Sequence, residues 1–286
     1  VSRPDRAGSP RAAERCPEST ARRSATSGLA DVVEGVDLLT AATGQFQSWL
    51  WNTDNPGSAY LAGATGERRQ LPASIARGAG LGYAHHGYAQ VLAAQGFGGE
   101  EMQALGLLDD NQQEVYGDRL TFPWTDMSGR HIVGLGGRAV VHRRPKYVNT
   151  PEPFFTKGSS VFGIHQAAAA IHQAGWAVIV EGPFDALALW TMGWTNAVAT
   201  VGAKVTADQL AMVLRLTDLA VVLLDADEGG HRGREALASM LLRQPWPPAS
   251  EVATATLHGA KDAGDPLATY EMVQESIRRS QTLPHI

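Results

Sequence analysis

Three short stretches of this chain place carboxylates directly after apolar runs. Glu181-Gly-Pro-Phe-Asp185 follows Ala177-Val-Ile-Val, Asp225-Ala-Asp227 follows Ala220-Val-Val-Leu-Leu, and Asp262-Ala-Gly-Asp265 follows the run Glu251–Leu257. Carboxylates gathered at one place repel one another, and a shared cation relieves that repulsion. Oxygen donors without His or Cys favour hard divalent ions, Mg²⁺ or Mn²⁺. In an extended Asp-x-Asp both side chains fall on one side, because side-chain direction alternates with a period of two. A lone Asp after a strand is usually a turn former or a helix cap. Glu-Gly-x-x-Asp after one strand and Asp-x-Asp after another point instead to a metal site.

Such a site needs elements that bring the three stretches to one edge. Apolar runs at 177–180, 196–200, 219–224 and 251–257 read as strands, and the segments 185–192, 207–215 and 232–242 between them read as helices. Strands alternating with helices of about ten residues imply an α/β fold, a parallel sheet with helices on both faces. Ligands of such sheets bind at the carboxyl ends of the strands, where these acids stand. Upstream, 120–124, 131–141 and 146–149 read as strands around a turn at Ser128-Gly129, preceded by helices at 38–50, 88–95 and 99–105. The expected organisation is a disordered leader over 1–30, a mixed α+β subdomain over 31–157, the parallel-sheet domain over 158–272 and a tail over 273–286.

Composition narrows the partners. The 286 residues are 44% hydrophobic and 19% charged, which excludes wholesale disorder. The net charge is −5, so a nucleic-acid partner must be met by a local patch. Residues 117–157 supply one, with seven basic residues against three acids. The single cysteine, Cys16, excludes a disulfide framework and a thiolate zinc site within the chain. There is neither an apolar run of membrane-spanning length nor a secretory-type apolar core at the N-terminus, so the expectation is a soluble, cytoplasmic protein without a membrane partner. His85-His86 reads as a surface turn, because adjacent side chains diverge. Gly134-Leu-Gly-Gly resembles a phosphate-binding loop but runs on into a strand rather than a helix.

Glu181-Gly-Pro-Phe-Asp185 together with Asp225-Ala-Asp227 resembles the Toprim signature shared by bacterial primases, topoisomerases, nucleases and recombination mediators. The upstream motifs choose among them. Asp118-Arg-Leu-Thr-Phe-Pro-Trp, Gly129-Arg-His-Ile-Val-Gly-Leu-Gly-Gly-Arg138, Pro145-Lys-Tyr-Val-Asn-Thr-Pro151 and Thr156-Lys-Gly158 are similar to the DnaG-type bacterial primase core. The resemblance covers roughly residues 38–272. It implies synthesis of short RNA primers on a single-stranded DNA template from ribonucleoside triphosphates. It further implies Glu181, Asp225 and Asp227 as the catalytic, metal-holding acids, supported by Asp185, Asp262 and Asp265. A basic ridge would track nucleic acid through Arg119, Arg138 and Lys146, with Tyr147, Asn149 and Lys157 beside it.

The family carries a zinc-ribbon domain and a helicase-binding domain that have no counterpart in this sequence. The implied partners are therefore a replicative helicase or a separate zinc-ribbon module. Two other readings stay open: a Toprim nuclease using the same acids, and a non-catalytic single-stranded DNA-binding accessory protein.

Overall fold

Two sheets organise the chain, and the acid-bearing stretches all leave the second one. A computed structural model describes residues 20–64, 70–140, 144–202 and 204–284, with residues 20–34 described by their backbone alone. Residues 1–19 of the expected leader lie outside the described residues. Residues 20–30 run in the first helix, α1 (Thr20–Asn52), which therefore starts well before the helix expected at Leu38. Residues 35–286 cluster as one compact unit and the residues before Gly35 as another.

After α1 come α2 (Pro56–Leu61), α3 (Ala73–Gly78), β1 (Gly82–Ala84), α4 (Tyr88–Ala94) and α5 (Gly99–Ala104). The strands β2 (Arg119–Thr125), β3 (Ile132–Ala139) and β4 (Tyr147–Asn149) then complete an antiparallel sheet in the order β1-β2-β3-β4. The β2–β3 turn is held by Asp126, whose carboxylate accepts from Ser128 Oγ at 2.8 Å and from the Arg130 N–H at 3.1 Å, while Gly129 supplies the positive φ of +70°. The Gly134-Leu-Gly-Gly run lies inside β3. A Cβ at Gly136 would strike the Phe122 ring, so the glycine lets that ring pack flat on its neighbouring strand.

The second half alternates as its sequence predicts. A 3₁₀ turn (Lys157–Ser159) leads to α6 (Ile164–Ala174), β5 (Trp176–Val180), α7 (Pro183–Thr191), β6 (Ala197–Ala199), α8 (Ala207–Leu214), β7 (Leu219–Leu224), α9 (Glu228–Leu241), β8 (Glu251–Thr256), α10 (Tyr270–Arg278) and β9 (Gln281–Thr282). Strand order is β6-β5-β7-β8-β9, parallel except for β9. The two faces divide by alternation. Ala177, Ile179, Val222 and Leu224 pack with Leu237 and Leu241 of α9, while Val178, Val180, Val221 and Leu223 join the core that holds α7. That second core is continuous with the antiparallel sheet: Phe122 meets Phe162 at 5.7 Å and Phe184 at 6.0 Å between ring centroids. α6 escapes the sequence reading because its Ala-rich run is flanked by glycines. Gly163 and Gly175 both take positive φ and delimit it. Among the described residues no helix is long and apolar enough to cross a membrane.

Candidate functional site

The strand ends β5 and β7 are neighbours in the sheet, which brings Glu181 and Asp225 side by side. Gly182 follows Glu181 as the N-cap of α7, and Pro183 starts the helix where its missing N–H costs nothing. Asp185 thus falls in the first turn of α7, where the helix dipole favours an anion, and it is 8% exposed. A Cβ on Gly182 would stand 2.7 Å from Asp185 Oδ2, so the glycine leaves room for that carboxylate.

Asp227 caps α9, its Oδ1 accepting the Gly230 N–H at 2.9 Å. Capping and metal chemistry are compatible here, because one carboxylate oxygen satisfies the helix and the other remains. Gly230 packs so closely under the Asp225 carbonyl that no side chain fits. Asp262 lies buried beyond β8. Asp265 commits its carboxylate to its own loop, accepting from the Lys261 N–H at 3.1 Å and the Leu267 N–H at 2.9 Å.

Electrostatics identify which acids meet. Burial raises the pKa of Asp225 from 3.8 to about 8, and Glu181, Asp185, Asp262 and Asp227 push in the same direction. Glu181 is raised too, first by burial and then by Asp227, Asp185 and Asp262, against the opposing pull of the Asp225 backbone N–H. Asp265 is absent from both sets of neighbours. Glu181 Oε1 is buried and has no hydrogen-bond partner among the described residues. Among the described residues no three His, Cys, Asp or Glu side chains close into a coordination shell as they stand. Five carboxylates therefore share one field without sharing one point. The donor set is all oxygen, and an orphaned carboxylate oxygen with raised neighbours fits a divalent cation.

The expected basic ridge divides by exposure. Arg119 is 1% exposed, its guanidinium donating to the carbonyls of Val115 and Lys146, each at 3.2 Å. Arg138 is equally buried. It donates to the Tyr147 hydroxyl and sits over the rings of Tyr60, Tyr147 and Phe184 at 5.0–5.2 Å. Lys146, Tyr147 and Lys157 are exposed. Asn149 is half-buried and accepts from Trp124 Nε1 at 3.1 Å.

A further network joins Asp118, the first residue of one of these motifs, to residues that the sequence reading did not assign to the site. His86 faces Glu114 Oε2 at 3.3 Å and Asp118 Oδ2 at 3.1 Å, and Tyr83 donates to the other Asp118 oxygen. The members of the His85-His86 pair do diverge: His85 contacts Thr53 Oγ1 at 2.8 Å.

A parallel sheet carrying Glu-Gly-x-x-Asp after one strand and Asp-x-Asp after its neighbour defines a Toprim domain, and residues 178–267 match the Toprim-like family. Residues 47–168 match the N-terminal domain of the DNA primase catalytic core. Together the two segments make this chain a DnaG-type primase catalytic core. It is 34% identical to the DNA primase of Pseudomonas aeruginosa over 192 residues, 64% of this chain and 28% of that protein. The chain thus spans less than a third of that relative's length. Among solved structures, a DnaG primase catalytic domain bound to single-stranded DNA superposes with a TM-score of 0.77 at 22% identity, over 89% of this chain and 81% of that one. The RNA polymerase domain of Mycobacterium tuberculosis DnaG, in complex with a double-stranded DNA oligomer bearing a six-nucleotide overhang, gives 0.68 at 28% identity, over 88% and 81%.

Proposed function

We propose that this chain synthesises short RNA primers on single-stranded DNA from ribonucleoside triphosphates. The observation that carries this reading is the carboxylate cluster at the ends of β5 and β7, with its orphaned Glu181 oxygen and raised Asp225. Glu181, Asp225 and Asp227 would hold Mg²⁺ or Mn²⁺, with Asp185 and Asp262 around them and Asp265 holding the loop that carries Asp262. Such an ion neutralises triphosphate charge and polarises the attacking 3′-hydroxyl. No zinc is needed by this donor set.

The protein's own groups supply position. Lys146 and Lys157 reach solvent and suit phosphate contacts that hold a strand without reading its sequence. Tyr147 offers a ring for stacking, and Arg138 and Arg119 brace it and Lys146 from beneath, while Asn149 fixes β4 against Trp124. Two of the similar solved structures hold DNA, which supports a nucleic-acid partner for this chain. A separate zinc-ribbon module would help choose where priming starts, a replicative helicase would be a further partner, and the setting would be the cytoplasm.

The test is direct. Purified protein with Mn²⁺, ribonucleotides and single-stranded DNA is expected to make short RNA, and Asp225→Asn to abolish it without changing the circular dichroism spectrum. Cleavage of labelled DNA without RNA synthesis would assign a nuclease instead. DNA binding with neither reaction would assign an accessory protein.

A further inference from the structure

The far edge of the parallel sheet is incompletely covered. β9 pairs with β8 only at Ala253 and Thr254, so among the described residues the outer edge of Ala255 and Thr256 has no strand beside it, while β7 pairs their other side. Leu257 turns its N–H toward Leu224 on β7, and peptide direction alternates along a strand, so Thr254 and Thr256 present their peptides outward. Thr254 meets Gln281 of β9. Thr256 meets a groove of about 510 Å³ between α9 and α10.

The groove holds two arginines and two glutamates, so its formal charge balances, but the four are not all paired. Arg279 is paired with Glu275 at 2.6 Å. Glu271 lies in the first turn of α10, where its own backbone N–H and Thr269 hold its carboxyl below the usual range. Arg234 of α9 donates to the neutral amide oxygen of Gln281 and has no carboxylate partner among the described residues. His258 adds a second nitrogen group at the mouth. Thr254 also lines the groove, is 2% exposed, and its hydroxyl has no hydrogen-bond partner among the described residues. A buried hydroxyl without a partner is costly, and a valine of the same shape would avoid that cost.

We propose that this groove is a second binding site, distinct from the acid cluster, for a phosphate-bearing small molecule of mononucleotide size. Arg234, His258, Thr254 and Thr256 line the groove and would supply the donors for the phosphate, and Met272 offers an apolar wall for the remainder. The volume suits one small ligand. The site needs no metal and does not rest on the assignment of Glu181 and Asp225.

The experiment uses the intact chain in EDTA, which removes the metal site from consideration, with AMP as the probe and titration calorimetry as the readout. Saturable AMP binding is expected, undiminished in Asp225→Asn and weakened about tenfold or more in Arg234→Gln. Inorganic phosphate should compete and adenosine should not. Thr254→Val gives a signature of opposite signs: weaker AMP binding, but a melting temperature of the ligand-free protein raised by about 1–3 °C. Absence of saturable binding at millimolar AMP, adenosine binding as well as AMP, or unchanged affinity in Arg234→Gln would each overturn the proposal.

Discussion

The guanidinium of Arg138 on β3 lies 5.0 Å from the ring centroid of Phe184 on α7, the residue before Asp185. One buried cation thus joins the antiparallel sheet to the helix that carries part of the acid cluster. The rings of Tyr60 and Tyr147 complete an aromatic box, and the Arg138 Nε finds no hydrogen-bond partner among the described residues. Cation–π contacts gain strength when water is excluded, to about 2 kcal/mol.

Arg138→Ala should therefore act on stability as well as on nucleic acid. A loss of about 1–3 kcal/mol in chemical denaturation is expected. Lys146→Ala, at an exposed side chain, should leave denaturation unchanged. It should weaken single-stranded DNA binding and reduce the slope of log affinity against log salt by about one unit or less. A Lys146→Ala protein with an unaltered salt slope would remove that lysine from the nucleic-acid path.

Metal should stabilise the native protein through Glu181 and Asp225. Binding to the folded state alone raises stability by roughly 2.7 kcal/mol at a hundredfold excess over the dissociation constant. Millimolar Mn²⁺ should raise the melting temperature, and Mg²⁺ should do so as well. The shift should shrink clearly in a Glu181→Gln, Asp225→Asn double variant. An equal shift in both proteins would place the ion elsewhere.

The same cluster sets a pH dependence in EDTA. Asp225 holds its proton in the folded protein up to about pH 8, whereas the unfolded chain releases it near the usual 3.8. The folded state therefore binds more protons across this window, and stability falls as pH rises. The melting temperature should drop between pH 5 and pH 9, and Asp225→Asn should flatten the curve. A wild-type curve as flat as the variant's would contradict the raised value.

Gly230→Ala should disturb the site without removing a ligand. Its new methyl would run into the Asp225 carbonyl, backbone that cannot swing aside. A cost of about 1–3 kcal/mol is expected, together with loss of the Mn²⁺ shift, because the turn that orients Asp225 and Asp227 must open. Normal metal stabilisation in Gly230→Ala would show that the turn tolerates the change.

Much of the second half was legible in the sequence because alternation of apolar strands and short helices is a local property. The strand at 219–224 matches β7 residue for residue, and the helix expected at 207–215 differs from α8 by one residue. α9 begins a turn earlier than its apolar pattern, since Asp227 caps it and Glu-Gly-Gly fills the first turn. The two residues of β9 and the short β1 carry no periodic signal, and each forms only because a neighbouring strand offers its edge.

Sequence alone determined that acids stand at three strand ends, since side-chain type and the end of an apolar run are both local facts. Tertiary structure alone decided which of them share a field. Asp265 follows the same strand as Asp262, yet its carboxylate closes its own loop while Asp262 joins Glu181 and Asp225. It also decided that two arginines of a basic island are buried: Arg119 serves backbone carbonyls and Arg138 an aromatic box. Charge is written in the sequence, but its exposure depends on which distant rings and carbonyls fold against it, and burial is a property of the whole packed chain.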